Sequence, residues 1–295
     1  METGAIPVAD VPGPVDVQAT IESGQTYLWW REDGRTYAES DNHGGDAWYA
    51  TVVDGEVVRV RQRDGALEWE STTDAVPLLR ELLRLDDDLD AIAEATPDDP
   101  LLDAAYERYP GMRVPNDPFF GCLVSFICSA QMRVERIFAM QQALRETYGD
   151  PVSFQGRTYH AFPTPEALAD ATEGELRDLG LGYRAPYVQR TADLVASGEH
   201  TAEDVRGLPY EEAREALTEF VGVGDKVADC VALFGLGHLE AVPLDTWIQS
   251  AIEDHYPDCA RENYRETSRA IRERFGPYAG YAQTYVFHYL RNRDA

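Results

Sequence analysis

The chain is predicted to be α+β: a small antiparallel sheet domain at the N-terminus, then a large all-helical domain. Three observations point there. Apolar residues alternate with period two over about residues 20–73, between Asp-Gly turn signals. From about residue 76 the apolar spacing becomes helical. At 295 residues the chain is long enough for a large core and two domains. The reading places the sheet and a linking helix in residues 1–84 and the helical domain in residues 85–295.

Residues 27–30, 35–38 and 48–53 are short aromatic or β-branched runs and are expected as strands. Asp54-Gly55 and Asp64-Gly65 are hairpin turn signals. Val58 and Val60 alternate with Arg59, Arg61 and Arg63, and Leu67 and Trp69 with Glu68 and Glu70, which is the pattern of a half-buried sheet. Residues 76–85 open the helical half, followed by an acidic stretch at 86–90 and a Pro- and Asp-rich connection at 96–100. Asp117-Pro118 starts an apolar helix through Phe126 and Ile127, with Pro in its first turn. Val134, Ile137, Phe138 and Leu144 mark a second helix, Thr164-Pro165 caps a third, and Thr172 with Glu175 forms the capping box of a fourth. Residues 210–220, 225–236, 246–255, 261–275 and 278–290 complete the series.

Composition limits the function classes. Asp and Glu number 53 against 26 Lys and Arg, for a formal net charge of −27. The acids are spread along the chain beside ordinary apolar content, so the reading is a folded protein with an acidic surface of halophilic type. High ionic strength screens self-repulsion and weakens the objection to a nucleic-acid partner. The four cysteines, Cys122, Cys128, Cys230 and Cys259, fit neither a disulfide framework nor a zinc knuckle. The residues call for no metal and no organic cofactor. The N-terminus has no signal-peptide pattern and no run approaches 18 apolar residues, so the expectation is a cytoplasmic protein with no membrane partner.

One of the 26 basic residues is lysine, Lys226. Arg can replace Lys for charge and phosphate contacts but not as an amine nucleophile. A single lysine is therefore a candidate for covalent chemistry, against the plain alternative of chance survival. It lies in Val221-Gly222-Val223-Gly224-Asp225-Lys226, between two expected helices. The glycines Gly222 and Gly224, with Val223 between them, would let backbone amides approach a phosphate at a helix N-terminus; a left-handed cap with a tight turn explains them equally well. In the first helical turn the helix dipole disfavours an ammonium. Cys230 falls one turn further on the same face. Asp245, nineteen residues on, is an expected N-cap of the next helix, and a carboxylate held by backbone amides can also stabilise a cationic sugar or take a proton.

Val221–Lys226 followed by Val242-Pro243-Leu244-Asp245 resembles the helix–hairpin–helix, Gly/Pro-loop and aspartate signature of base-excision DNA glycosylases, and the lysine resembles that of the glycosylase/lyase branch. Phe126-Ile127-Cys128-Ser129, Tyr159–Pro163, Leu179–Ala185, Lys226–Cys230, Gly276–Gln283 and Ser23-Gly24-Gln25 resemble the 8-oxoguanine DNA glycosylase of the eukaryotic type, in that family's order, over about residues 20–290. The resemblance implies that Lys226 attacks the sugar and forms a Schiff base, while Asp245 stabilises the developing charge. It implies that Gly24 accepts the N7 proton of the flipped base through its carbonyl, Gln283 reads the Watson–Crick edge, and Phe287 and Cys230 sandwich the ring. Gln131, Arg136 and Arg184 would contact the opposite strand, and Gly222, Val223 and Gly224 the DNA backbone. Three positions depart from the pattern: Gln131 stands for Asn, Trp247 for His and Val221 for Pro. The implied partner is double-stranded DNA with oxidised guanine, bound by a monomer. Two other readings stay open: a glycosylase for other damaged purines such as alkylated bases, which usually lacks the lysine, and a noncatalytic helix–hairpin–helix DNA-binding module.

Overall fold

The computed structural model describes residues 1–37 and 46–292. Strands β1 (Glu2–Pro7), β2 (Trp30–Arg31), β3 (Tyr49–Val53), β4 (Glu56–Arg63) and β5 (Ala66–Ser71) form an antiparallel sheet in the order β1-β5-β4-β3-β2. Both Asp-Gly turns have positive φ at both residues, +51° and +78° for Asp54-Gly55 and +49° and +78° for Asp64-Gly65. This pair matches the right-handed twist of the flanking strands. One sheet face packs on the Val76–Leu82 helix through Val58, Val60, Leu67, Leu79 and Leu82.

The sheet is not simply half-buried. The hairpin of β6 (Pro151–Phe154) and β7 (Arg157–His160) covers part of its other face, where Ala50, Val52 and Val57 pack on Phe154 and Tyr159. Arg59 is buried there as well, and its guanidinium grips Glu32 with two bonds of 2.6 Å and Glu70 with one of 2.5 Å. The expected strand at residues 35–38 is corrected. Arg35 has no regular structure, Thr36 and Tyr37 form a turn, and Ala38 lies outside the described residues. The Tyr37 amide is taken by the Glu22 carboxylate at 2.9 Å and its φ is +64°, so neither the ladder bond nor the extended backbone is available. Of the expected strand at 27–30, only Trp30 pairs in the sheet.

The helical half is centred on the Phe119–Cys128 helix, in which every residue but Phe120 is buried. The Asp225–Leu236 helix packs against it. Phe126 and Phe234 stack with ring centroids 5.5 Å apart, and a Cβ on Gly235 would press on Cys122 Sγ at 3.1 Å. The 96–100 connection does more than join two parts. Asp99 caps the Pro100–Arg108 helix through bonds of 3.1 Å from the Leu101 and Leu102 amides, with Pro100 at the first position. The two halves are tied by Arg113, 1% exposed. Its guanidinium donates to the carbonyls of Arg84, Asp87, Pro12 and Pro14 at 2.6 to 3.2 Å. No helix among the described residues is long and apolar enough to cross a membrane.

Arg113→Met leaves these four carbonyls without their charged donor. It is expected to lower unfolding free energy by about 3 kcal/mol, from the cost of orphaned buried acceptors. Urea unfolding of the variant beside the parent protein measures it.

Candidate active site

A cavity of about 760 Å³ opens where the start of the sheet domain meets the helical domain. Lys226, Asp245, Cys230, Gly24, Gln283, Phe287 and Gln131 all line it. Residues spread over more than 250 positions of sequence thus converge on one cavity.

Lys226 enters from the second residue of the Asp225–Leu236 helix. Its Nζ donates to Ser129 Oγ at 2.9 Å and lies 5.5 Å from the centroid of the Phe126 ring. Ser129 closes the Phe119–Cys128 helix as its C-cap, so the central helix pair fixes both ends of this bond. Asp245 caps the Thr246–His255 helix, accepting from the Ile248 amide at 2.8 Å. It is partly buried among apolar neighbours. Burial raises its carboxyl above the ordinary Asp range, and the Ile248 amide and the Lys226 charge oppose this only in part. The cap therefore coexists with a carboxylate whose environment favours losing its charge.

The loop that carries Asp245 is bolted to the lysine helix. Asp229, fully buried one turn after Lys226, accepts from Tyr264 Oη at 2.8 Å and from Tyr210 Oη at 2.6 Å. The Leu244 amide in turn donates to Tyr264 Oη at 3.0 Å. Burial pushes the Asp229 carboxyl up to about 6, against the pull of both tyrosines and two arginines.

Cys230 and Phe287 both line the cavity. Burial pushes the Cys230 thiol up to about 12, so sulfur serves there as an apolar surface. Gln283 and Phe287 project from one face of the Ala279–Asn292 helix. Gln283 is 5% exposed and its Oε1 has no hydrogen-bond partner. An orphaned acceptor in a cavity is costly to keep empty and suits a ligand donor. Gly24 adopts φ +85°, and its carbonyl accepts from Tyr27 Oη at 2.9 Å, which leaves its second lone pair for another donor.

Arg136 and Arg184 lie outside the cavity lining but close to its rim. Arg184 is 2% exposed; it donates to the carbonyl of Ala130, the residue before Gln131, and stacks on Tyr183 at 4.3 Å. Arg136 is exposed and rests its guanidinium beside Gly180. The hairpin stands apart again. Gly222 has φ +85° and lies under the Tyr187 ring, where a Cβ would come within 2.8 Å. Val223 is buried, whereas Gly224 is exposed with open space beside it, as an amide donor to a phosphate requires. Tyr183, Tyr187 and Trp247 are the large exposed aromatic side chains of the described residues, and Trp247 is on the cavity lip.

A model of HhH-GPD superfamily base excision DNA repair proteins matches residues 124–277, and one of the N-terminal domain of 8-oxoguanine DNA glycosylase matches residues 9–123. The chain belongs to the HhH-GPD superfamily. Among superfamily relatives, a probable N-glycosylase/DNA lyase of Methanothermobacter thermautotrophicus is 32% identical, over 97% of this chain and 95% of the relative. The N-glycosylase/DNA lyase of Saccharomyces cerevisiae is 28% identical, over 90% and 81%. The Clostridium acetobutylicum 8-oxoguanine glycosylase/lyase, solved with double-stranded DNA containing cytosine opposite 8-oxoguanine, superimposes with a TM-score of 0.83 at 28% identity, over 95% of this chain and 93% of that one.

Sequence reasoning missed Ser129 as the lysine's partner, the Asp229–Tyr264 bolt, and Arg291, which also lines the cavity. Ser129 and Asp229 stand inside the motifs named above, whereas no local pattern marks Tyr264 or Arg291.

Asp245→Asn is expected to slow base excision at least about a hundredfold while changing duplex affinity less than about threefold, in keeping with a group that acts on transition-state charge. Single-turnover kinetics and a binding titration separate the two; near-normal excision leaves Asp245 a cap alone. In the parent protein the ionised Asp245 is lost as pH falls through its raised pKa. Excision should therefore begin to decline on acidification above the ordinary Asp range, with the pH–rate profile as the measurement.

Proposed function

We propose that the protein is a bifunctional DNA glycosylase/AP lyase that excises 8-oxoguanine from duplex DNA. The observation that carries the reading is the convergence of the only lysine, a partly buried aspartate and the unsatisfied Gln283 on one cavity. The names and titles of the relatives above, which span nearly the whole chain, support the same activity.

A target nucleotide is flipped into the cavity and its ring lies between Phe287 and Cys230. Gln283 meets the Watson–Crick edge. The Gly24 carbonyl accepts the N7 hydrogen that 8-oxoguanine has; guanine offers a lone pair at that atom and is repelled. The Lys226 amine, once it has given up its proton, forms a bond to C1′ as the N-glycosidic bond breaks, and that bond's electron pair leaves with the base. Asp245 stabilises the positive charge that builds on the sugar. Opening of the sugar ring gives the Schiff base; loss of a C2′ proton then expels the 3′ phosphate.

The acidic surface shapes the binding mode. Contacts come from the hairpin amides at Gly222–Gly224, from Gln131 and Arg136, and from the exposed aromatics, rather than from a broad basic patch, while the buried Arg184 holds the Ala130 carbonyl beside Gln131. We assign the protein to the cytoplasm and to action as a monomer. Lys226 in the cavity favours this reading over excision of alkylated purines.

Duplexes carrying 8-oxoguanine opposite each of the four bases test it. Strand cleavage is expected on these and not on the undamaged duplex, with activity retained at molar salt because few counterions are released on binding. Cleavage confined to alkylated or undamaged DNA contradicts the reading.

A further inference from the structure

Arg291 lies one turn beyond Phe287 on the Ala279–Asn292 helix. Its Nη1 donates to the Ser23 carbonyl at 2.9 Å and its Nη2 to the Glu22 carbonyl at 3.0 Å. These belong to the two residues before Gly24. With Tyr27 Oη on the Gly24 carbonyl, three consecutive carbonyls each hold a fixed donor. The guanidinium also occupies the volume over Gly24. A Cβ there would sit 2.2 Å from Nη1, so the absence of a side chain at position 24 is what admits the arginine. The guanidinium carbon lies 5.5 Å from the Phe287 ring centroid, so one group touches both the recognition backbone and the base-stacking wall.

We propose that Arg291 is a positioning residue for lesion recognition: it clamps backbone 22–23 of the sheet domain to the helix bearing Gln283 and Phe287, and so sets the angle of the Gly24 carbonyl in the cavity. The inference rests on the 8-oxoguanine reading above. Discrimination there depends on one carbonyl meeting a hydrogen rather than a lone pair at N7, and a hydrogen bond weakens steeply with misdirection. A planar fork holds two adjacent carbonyls at once, which a point-charge ammonium does not. Both terminal nitrogens of Arg291 are engaged by backbone, so its role is orientation of Gly24 rather than contact with the base. Cleavage of a preformed abasic site uses Lys226 but no base, and so does not depend on the clamp.

The test compares R291M, R291K and the parent protein in single-turnover excision of 8-oxoguanine and in cleavage of a preformed abasic site. R291M is expected to excise about tenfold to a hundredfold more slowly, the cost of a small misplacement of a reading group, with abasic-site cleavage within about twofold of the parent. R291K keeps the charge and loses the fork, and is expected to stay at least about threefold below the parent in excision alone. Excision by R291M within about twofold of the parent, full recovery by R291K, or parallel loss of both activities would each overturn the clamp. A parent protein that cleaves abasic DNA and leaves 8-oxoguanine in place contradicts the underlying reading, a result separable from failure of the clamp alone.

Discussion

Everything at the site depends on the packing of two helices, Phe119–Cys128 and Asp225–Leu236. Their contact is close because Gly235 offers no side chain against Cys122 and because Phe126 and Phe234 stack. The same contact puts the Lys226 amine over Phe126 and against Ser129. A shift of one helix along the other would separate the Lys226 amine from Ser129. Close-packed interiors resist such shifts, since a displaced ring leaves voids whose lining loses its contacts. The apolar core of the helical domain is thus also the mount of its chemistry.

Around that pair, buried polar groups act as fasteners. Asp229 draws together the helix before the hairpin, through Tyr210, and the Asp245 loop, through Tyr264 and the Leu244 amide. Arg113 joins the two halves through four backbone carbonyls, and Arg291 joins them again at the cavity. Such groups are expensive to bury unless bonded; Asp229 and the terminal nitrogens of Arg113 and Arg291 bond backbone or side chains distant in sequence, while Arg113 Nε has no partner. They specify where the loops stand rather than adding much net stability. A net charge of −27 leaves the outer surface poorly suited to hold DNA by charge alone, so the proposed recognition relies on backbone amides, a few arginines and exposed aromatics.

Much of this was legible in the sequence, and the reasons differ by element. The Asp225–Leu236 helix is bracketed by the Gly-x-Gly start and by Gly237 in a left-handed stop at φ +83°, so both ends are written locally. The Asp-Gly hairpins carry their own turn chemistry. By contrast β1 has no β-branched run; Gly4 pairs there opposite Trp69, whose ring fills the space a side chain at position 4 would need, a tertiary fact. The β6–β7 hairpin turns at Gln155-Gly156 with φ +50° and +74°, the same geometry as the Asp-Gly turns without the usual residue. Lys226 and Asp245 are marked by the hairpin and the loop after it, whereas Gln283 and Phe287 are singled out by the family resemblance, their spacing of four adding only that they share a helix face. Ser129, Tyr264 and Arg291 act across separations of 97, 20 and 268 residues, and only folding brings them to their partners.

The central claim is that Lys226 is the amine that becomes bonded to DNA. Borohydride reduction during turnover of an 8-oxoguanine duplex tests it most directly, because no other lysine is present and only the terminal amine competes. A covalent protein–DNA adduct that maps to Lys226 and vanishes in Lys226→Ala is the result the structure requires. An adduct that persists undiminished in Lys226→Ala, or excision by the parent protein with no trappable adduct, would contradict it.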